Sequence, residues 1–247
     1  MHRSAPRLSR VLACAAVPVM LVAAGCSSDS DSSKDKGSGP DKAASSAGAS
    51  AAPSSAAPTK KAVEPAKFAK LPDVCKAVSS KTVEELVPKA KSKKGTAAAS
   101  SDLNNRGGCA WNGLEDKGTK GSNYRWLDVS LYRYESDATL GSGQERAAGN
   151  YTKELAKAQK TEGAKDAKTS EASGVGEQAE TVTYKLRKTD EDFQYASVVA
   201  RTGNVVALVT YNGAGYAGSK TPSDKWIVDG ALKAAKEAVA AVEAANK

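Results

Sequence analysis

The stretch G-A-G-Y-A-G at 213–218 has the spacing with which a glycine-rich loop cradles a dinucleotide pyrophosphate. That chemistry needs a parallel βαβ unit, glycines leading straight into a helix, and an acid about 20 residues further on at the end of the next strand. Here the glycines follow the last expected strand, and Thr221, Pro222, Ser223 and Asp224 separate them from the one helix that remains. Glu243, at roughly the right distance, falls on that helix. No nucleotide is therefore expected, and the glycines read as a mobile loop around Tyr216.

Other reactive combinations fall to similar tests. Ser33-x-x-Lys36 matches the serine and lysine spacing of penicillin-binding enzymes, but it lies in a segment with no core-forming residue, where nothing would hold a nucleophile in place. The single histidine, His2, sits in the expected signal peptide, so the mature chain has none and imidazole catalysis or ligation is excluded. Glycosidase-type chemistry would need two carboxylates facing across a groove. Glu115 with Asp116, and Asp190, Glu191 and Asp192, are adjacent acids in expected loops and read as solvated turn residues. Asp190 and Asp192 lack the further spaced oxygen ligands that calcium needs, so no metal and no cofactor is expected.

The four cysteines, Cys14, Cys26, Cys75 and Cys109, carry more information. Arg3, Arg7 and Arg10 precede an uncharged, mostly apolar run at 11–25 that ends L-V-A-A-G-C and gives way to S-S-D-S-D-S-S. The run is too short and wrongly flanked for a membrane span and reads as a signal peptide. Ala23, Ala24 and Gly25 before Cys26 resemble a bacterial lipobox, although Ala23 stands where a larger aliphatic is usual. That resemblance implies a diacylglyceryl anchor on Cys26, attachment to the outer face of the cell membrane and folding outside the cytoplasm. With Cys14 removed and Cys26 lipidated, Cys75 and Cys109 are the only remaining pair. In an oxidising compartment such a pair reads as a disulfide, worth roughly 3–4 kcal/mol for a loop of this length.

The elements that would position these residues follow from pattern. Residues 26–61 are, after Cys26, almost wholly Ser, Ala, Gly, Pro, Asp and Lys with no aromatic or large aliphatic side chain, and read as a disordered linker with a span of roughly 35 Å. Residues 62–247 are expected to form one extracytoplasmic domain. A short helix is expected around Cys75, a second from Ser80 to a stop at Pro88, a basic loop at 89–99 and a short strand at 109–111. At 124–134, Leu127, Val129 and Leu131 alternate with Trp126, Asp128, Ser130 and Tyr132, which gives a strand with one aliphatic and one partly aromatic face. A helix at 144–159 aligns Ala147, Tyr151, Leu155 and Ala158. Strands at 181–187, 193–201 and 205–211 are joined by turns at 189–192 and 202–204, so they must be antiparallel. A C-terminal helix places Val228, Leu232, Ala235, Val239 and Val242 on one side. The fold class is α+β: a mainly antiparallel sheet packed by helices.

Cys75 before a short helix, Cys109-Ala110-Trp111 opening a strand, and Gly174-Val175-Gly176-Glu177-Gln178-Ala179 ahead of a β-rich C-terminal half resemble a family of actinobacterial lipoproteins known only as a domain of unknown function. The resemblance runs from about Leu71 to the C-terminus, together with the lipobox and serine-rich linker. It implies the same disulfide and a compact α+β domain on the outer membrane face, and it supplies no catalytic residues. Read without the family, the paired glycines make a bend entering the 181 strand.

The formal charge is +8, falling to +5 when the signal removes three arginines and no acid. Lys89, Lys91, Lys93 and Lys94 cluster and read first as a solvated loop; weak attraction to anionic wall polymers or headgroups is the functional alternative. Nucleic acid is not an expected partner. The candidate ligand surface comprises Trp126, Tyr132, Tyr134 and Tyr216, whose rings combine apolar area with a polar handle. The expected function is a non-catalytic, membrane-tethered module for an envelope protein, a wall polymer or a small apolar ligand; the alternative is an envelope hydrolase using carboxylate acid/base catalysis.

Overall fold

Alternation along the central strands sends aliphatic side chains to one face of a sheet that a C-terminal helix covers. The computed structural model describes residues 62–247. The signal peptide, the Cys26 lipid site and the linker lie outside the described residues. Seven strands, β1 (Thr96–Ala97), β2 (Arg106–Asp116), β3 (Ser122–Arg133), β4 (Lys165–Glu171), β5 (Gln178–Lys188), β6 (Glu191–Thr202) and β7 (Val205–Tyr216), form one antiparallel sheet in the order β1-β2-β3-β7-β6-β5-β4. Three α-helices, α1 (Ser80–Leu86), α2 (Gly143–Gln159) and α3 (Asp224–Ala245), complete the α+β architecture expected from the sequence.

The main core lies between the sheet and α3. Leu127, Val129 and Leu131 of β3, Val205, Ala207, Val209 and Tyr211 of β7, and Ala196, Val198 and Ala200 of β6 are buried there against Ile227, Ala231, Ala235 and Val242. The small residues on α3 let it lie close to the strands; Gly230 faces the Tyr211 ring, and any Cβ at that position would collide with it. The N-cap of α3 is Ser223, which accepts from the Trp226 N–H, and Pro222 precedes the cap.

On the opposite face α2 covers only part of the sheet. Ala147 and Tyr151 are buried on Val199 and Val206, with Leu155, Ala158 and Leu208 packed around them. A capping box joins Ser142 and Glu145 at its start. The bend before β5 has Gly174 and Gly176 at φ +74° and +61°, as the paired glycines imply. Cys75 and Cys109 are bonded, with a Cα–Cα distance of 5.1 Å, and this clamps the short 3-10 turn Val74–Lys76 onto β2.

Several expectations require correction. Segment 213–218 is not a mobile loop: Gly213 and Gly215 lie inside β7, paired with Arg125 and Asn123 of β3. A side chain at 213 would strike Arg125 and one at 215 would strike the Ser219 backbone, so these glycines permit close approach within the sheet. The basic segment 89–99 contains β1 and an isolated bridge between Ala90 and Gly113. The strand expected at 109–111 is the middle of an eleven-residue β2, so Glu115 and Asp116 end a strand rather than sit in a loop. Edge strand β4, entirely exposed, was not expected at all.

Candidate aromatic groove

Antiparallel register brings rings from three separate stretches of sequence together. Trp126 on β3 faces Asn212 on β7, Asn212 faces Tyr195 on β6, and Tyr195 faces Tyr184 on β5. The row is laid across four neighbouring strands on the face that α2 leaves partly open. Tyr184 and Tyr195 stack with centroids 4.9 Å apart and 10° between planes. Beyond them, Phe193 meets Tyr124 edge-on at 5.8 Å and Tyr216 at 6.2 Å and 84°. These spacings are those of attractive edge and stacked ring pairs.

Tyr124, Trp126, Phe193, Tyr195 and Tyr216 line a groove of about 380 Å³, together with Asn212, Lys188 and Thr189. Phe193 and Tyr195 form its buried floor, whereas Tyr124, Trp126 and Tyr216 are half-buried walls. Asn212 is only 2% exposed, and its Oδ1 has no hydrogen-bond partner among the described residues. A buried amide oxygen without a donor is uncommon in a native fold and costly to keep. At the mouth, Lys188 Nζ donates to the Tyr195 hydroxyl at 3.0 Å. Burial, followed by the neighbouring Tyr195 and Tyr216, holds the Tyr124 hydroxyl above the ordinary tyrosine pKa, so it stays protonated and able to donate.

The four aromatics singled out from sequence do not form one surface. Trp126 and Tyr216 line this groove. Tyr132 and Tyr134 stand at the other end of β3, beside α2, in a cleft of about 510 Å³ with Arg106, Arg133, Arg146 and Glu135. There the Arg106 guanidinium lies 5.5 Å from the Tyr132 ring centre, and the nearly buried Arg133 pairs with Glu135 at 2.6 Å. Between the two ends stands Asp128, whose carboxyl accepts from Ser130 at 3.2 Å and is pushed to a higher pKa by burial.

The adjacent acids named from sequence pair locally. Glu115 bonds Lys117 at 3.2 Å, Asp116 caps the Gly118 N–H at 2.8 Å, and Asp192 bonds Arg187 at 3.1 Å. In the basic segment, Lys93 bonds Glu84 at 3.2 Å. Among the described residues no cluster of three metal-ligating side chains occurs, and no helix is long and apolar enough to cross a membrane.

Phe193, Tyr195, Asn212 and Lys188 were missed as groove residues. Alternation within the 193–201 strand already placed Phe193 and Tyr195 on one face, and the tight turn after Lys188 fixes Tyr184 opposite Tyr195. The absent information was which strand neighbours β3. That neighbour is β7, a strand of twelve residues that was expected only as far as Tyr211.

No protein-family model matches the chain, and no curated protein matches it. Among solved structures the chain is similar to LpqN, a protein of Mycobacterium tuberculosis involved in cell envelope biogenesis. The two share 12% identity at a TM-score of 0.28, over 57% of this chain and 82% of LpqN. A likeness at that score carries no argument about the groove or its ligand.

Proposed function

We propose that the protein is a membrane-anchored, extracytoplasmic lipoprotein whose domain binds a ligand without catalysing its turnover, and that the aromatic groove is the ligand site. The observation that carries the reading is Asn212: an amide oxygen with no partner among the described residues, in a residue that lines an open groove together with five rings. Folding alone gains nothing from that oxygen, whereas a ligand that donates to it would recover a hydrogen bond in a desolvated setting. The anchor rests on the lipobox-like A-A-G-C at 23–26 and the basic, apolar start of the chain. The motif resemblance to actinobacterial lipoproteins supports the same address.

The alternative, a carboxylate hydrolase, would draw on Asp128, the one carboxyl of the sheet face whose pKa burial raises. Such catalysis uses two acids at a defined separation, and among the described residues no carboxylate, Asp128 included, lines the groove beside Asn212. Native mass spectrometry of the lipoprotein extracted from its own membrane tests the binding reading. A co-purifying molecule that is retained by the wild type and lost by Trp126→Ala supports it. Turnover of an envelope substrate, abolished by Asp128→Asn, would place the protein in the enzyme class instead. Detergent phase partitioning of Cys26→Ser tests the anchor, which fails if the variant stays as membrane-bound as the parent.

A further inference from the structure

The chemistry of the groove narrows its ligand. Among the described residues, five rings supply apolar faces, Asn212 supplies an acceptor without a donor, and Lys188 is the only charged side chain in the lining. A quaternary ammonium group is the usual guest of an aromatic cage. Here the Lys188 ammonium already lies 5.3 Å from the Tyr195 ring centre, and no carboxylate lines the groove to offset a second positive charge. A purely apolar guest would leave the already buried Asn212 oxygen without a donor.

Polypeptide is also a poor fit. The groove lies across β3, β7, β6 and β5, interior strands whose backbone groups are paired in the ladders, so an extended chain could not add to the sheet there. Proline-rich segments do dock in aromatic grooves without ladder bonds. Proline, however, has no N–H to give to Asn212 Oδ1.

We propose that the groove recognises a sugar ring bearing an acetamido group, an inference that rests on the groove being the ligand site. The acetamido methyl and the C–H face of the ring would lie on Trp126, Phe193 and Tyr195. Its N–H would donate to Asn212 Oδ1, and its carbonyl oxygen would accept from Lys188 Nζ. One substituent thus meets the apolar, acceptor and donor features of the site together. N-acetylated glycans of any origin share this chemistry.

Calorimetric titration of the full-length lipoprotein in detergent micelles with chitotetraose and with cellotetraose tests the proposal, because the two differ only in acetamido against hydroxyl. Chitotetraose should bind at least about tenfold more tightly, and Asn212→Leu, shown to be folded by circular dichroism, should lose at least about tenfold of that affinity. Chitotetraose that fails to bind at millimolar concentration, or binds no better than cellotetraose, overturns the acetamido proposal. A decapeptide of alternating proline and alanine that binds wild type but not Trp126→Ala would also overturn it, while leaving the groove as a binding site. Chitotetraose binding that survives both Trp126→Ala and Asn212→Leu would overturn the groove assignment itself.

Discussion

Lys188 donates from Nζ to the Tyr195 hydroxyl at 3.0 Å while its ammonium stands 5.3 Å from the same ring's centre. The same ring stacks with Tyr184. One lysine therefore fixes the ring and sets the sign of the charge at the groove mouth. Lys188→Glu should invert the preference, because ring faces attract cations by about 0.5–1 kcal/mol at exposed sites and the new carboxylate would add to that attraction. Titration with tetramethylammonium, followed through ring resonances, should give saturable shifts in the variant and none in the wild type. Equal responses would show that Lys188 does not govern the groove's electrostatics.

Asn212 makes a prediction in which stability and binding move in opposite directions. Leucine has the same branched heavy-atom skeleton and no polar atom, so Asn212→Leu removes a buried oxygen that has no partner among the described residues. The variant should gain about 1 kcal/mol in urea unfolding while losing ligand. A residue retained for structure alone would instead lose stability on this change.

Asn204 is the contrasting case, an amide whose every bond is spent on the fold. Buried at the β6–β7 turn, it accepts from the Phe68 N–H at 2.7 Å and donates to the carbonyls of Phe68 at 3.0 Å and Tyr134 at 2.8 Å. Asn204→Leu should cost about 2–4 kcal/mol, because it strands backbone groups on two segments at once. An unfolding midpoint unchanged from wild type would show that the N-terminal segment at Phe68 contributes nothing to the cooperative unit.

These two asparagines mark how far the sequence was legible. Local signals sufficed for elements that depend on their own periodicity: the aliphatic stripe of β3, the Ala147 and Tyr151 face of α2, and the antiparallel β5–β6–β7 meander. They failed where a neighbour decides. Gly213 and Gly215 read as a loop because glycine disfavours strands, yet pairing with β3 over the full length of β7 holds them extended. Strand β4 has seven exposed residues and no apolar alternation, so only its ladder with β5 makes it a strand. Trp126 and Tyr216 were visible as aromatic residues, but their separation from Tyr132 and Tyr134 depends on where α2 lands. The burial of the Asn212 oxygen depends on what surrounds it in space, which no window of sequence contains.

The disulfide should act on stability and leave the groove alone. It joins residues 34 apart, and Cys109 is buried beside Trp111 in the core shared with α3. Cys75→Ala with Cys109→Ala should cost about 3–4 kcal/mol by releasing the unfolded chain. Under conditions where the double variant remains folded, its ligand affinity should equal that of wild type. A weaker affinity would mean that the β2 clamp transmits to β3 and the groove.

Asp128 gives a pH test with a definite sign. Its carboxyl stands half-buried on the sheet face between the aromatic groove and the arginine cleft, and burial raises its pKa more strongly than the Ser130 hydroxyl lowers it. A carboxyl with a raised folded pKa holds its proton more tightly in the folded state than in the unfolded state. Its contribution to stability is therefore fully present below the unfolded pKa and is lost as pH rises through the folded pKa. Asp128→Asn, which stays neutral, should be more stable than wild type at pH 7, and the difference should shrink as pH falls through the carboxylate range. Unfolding midpoints of the pair from acidic to neutral pH measure this directly, since the other carboxylates cancel in the comparison. A difference that stays constant with pH would show that Asp128 titrates alike in both states, and one that grows on acidification would show a partner that stabilises its charged form.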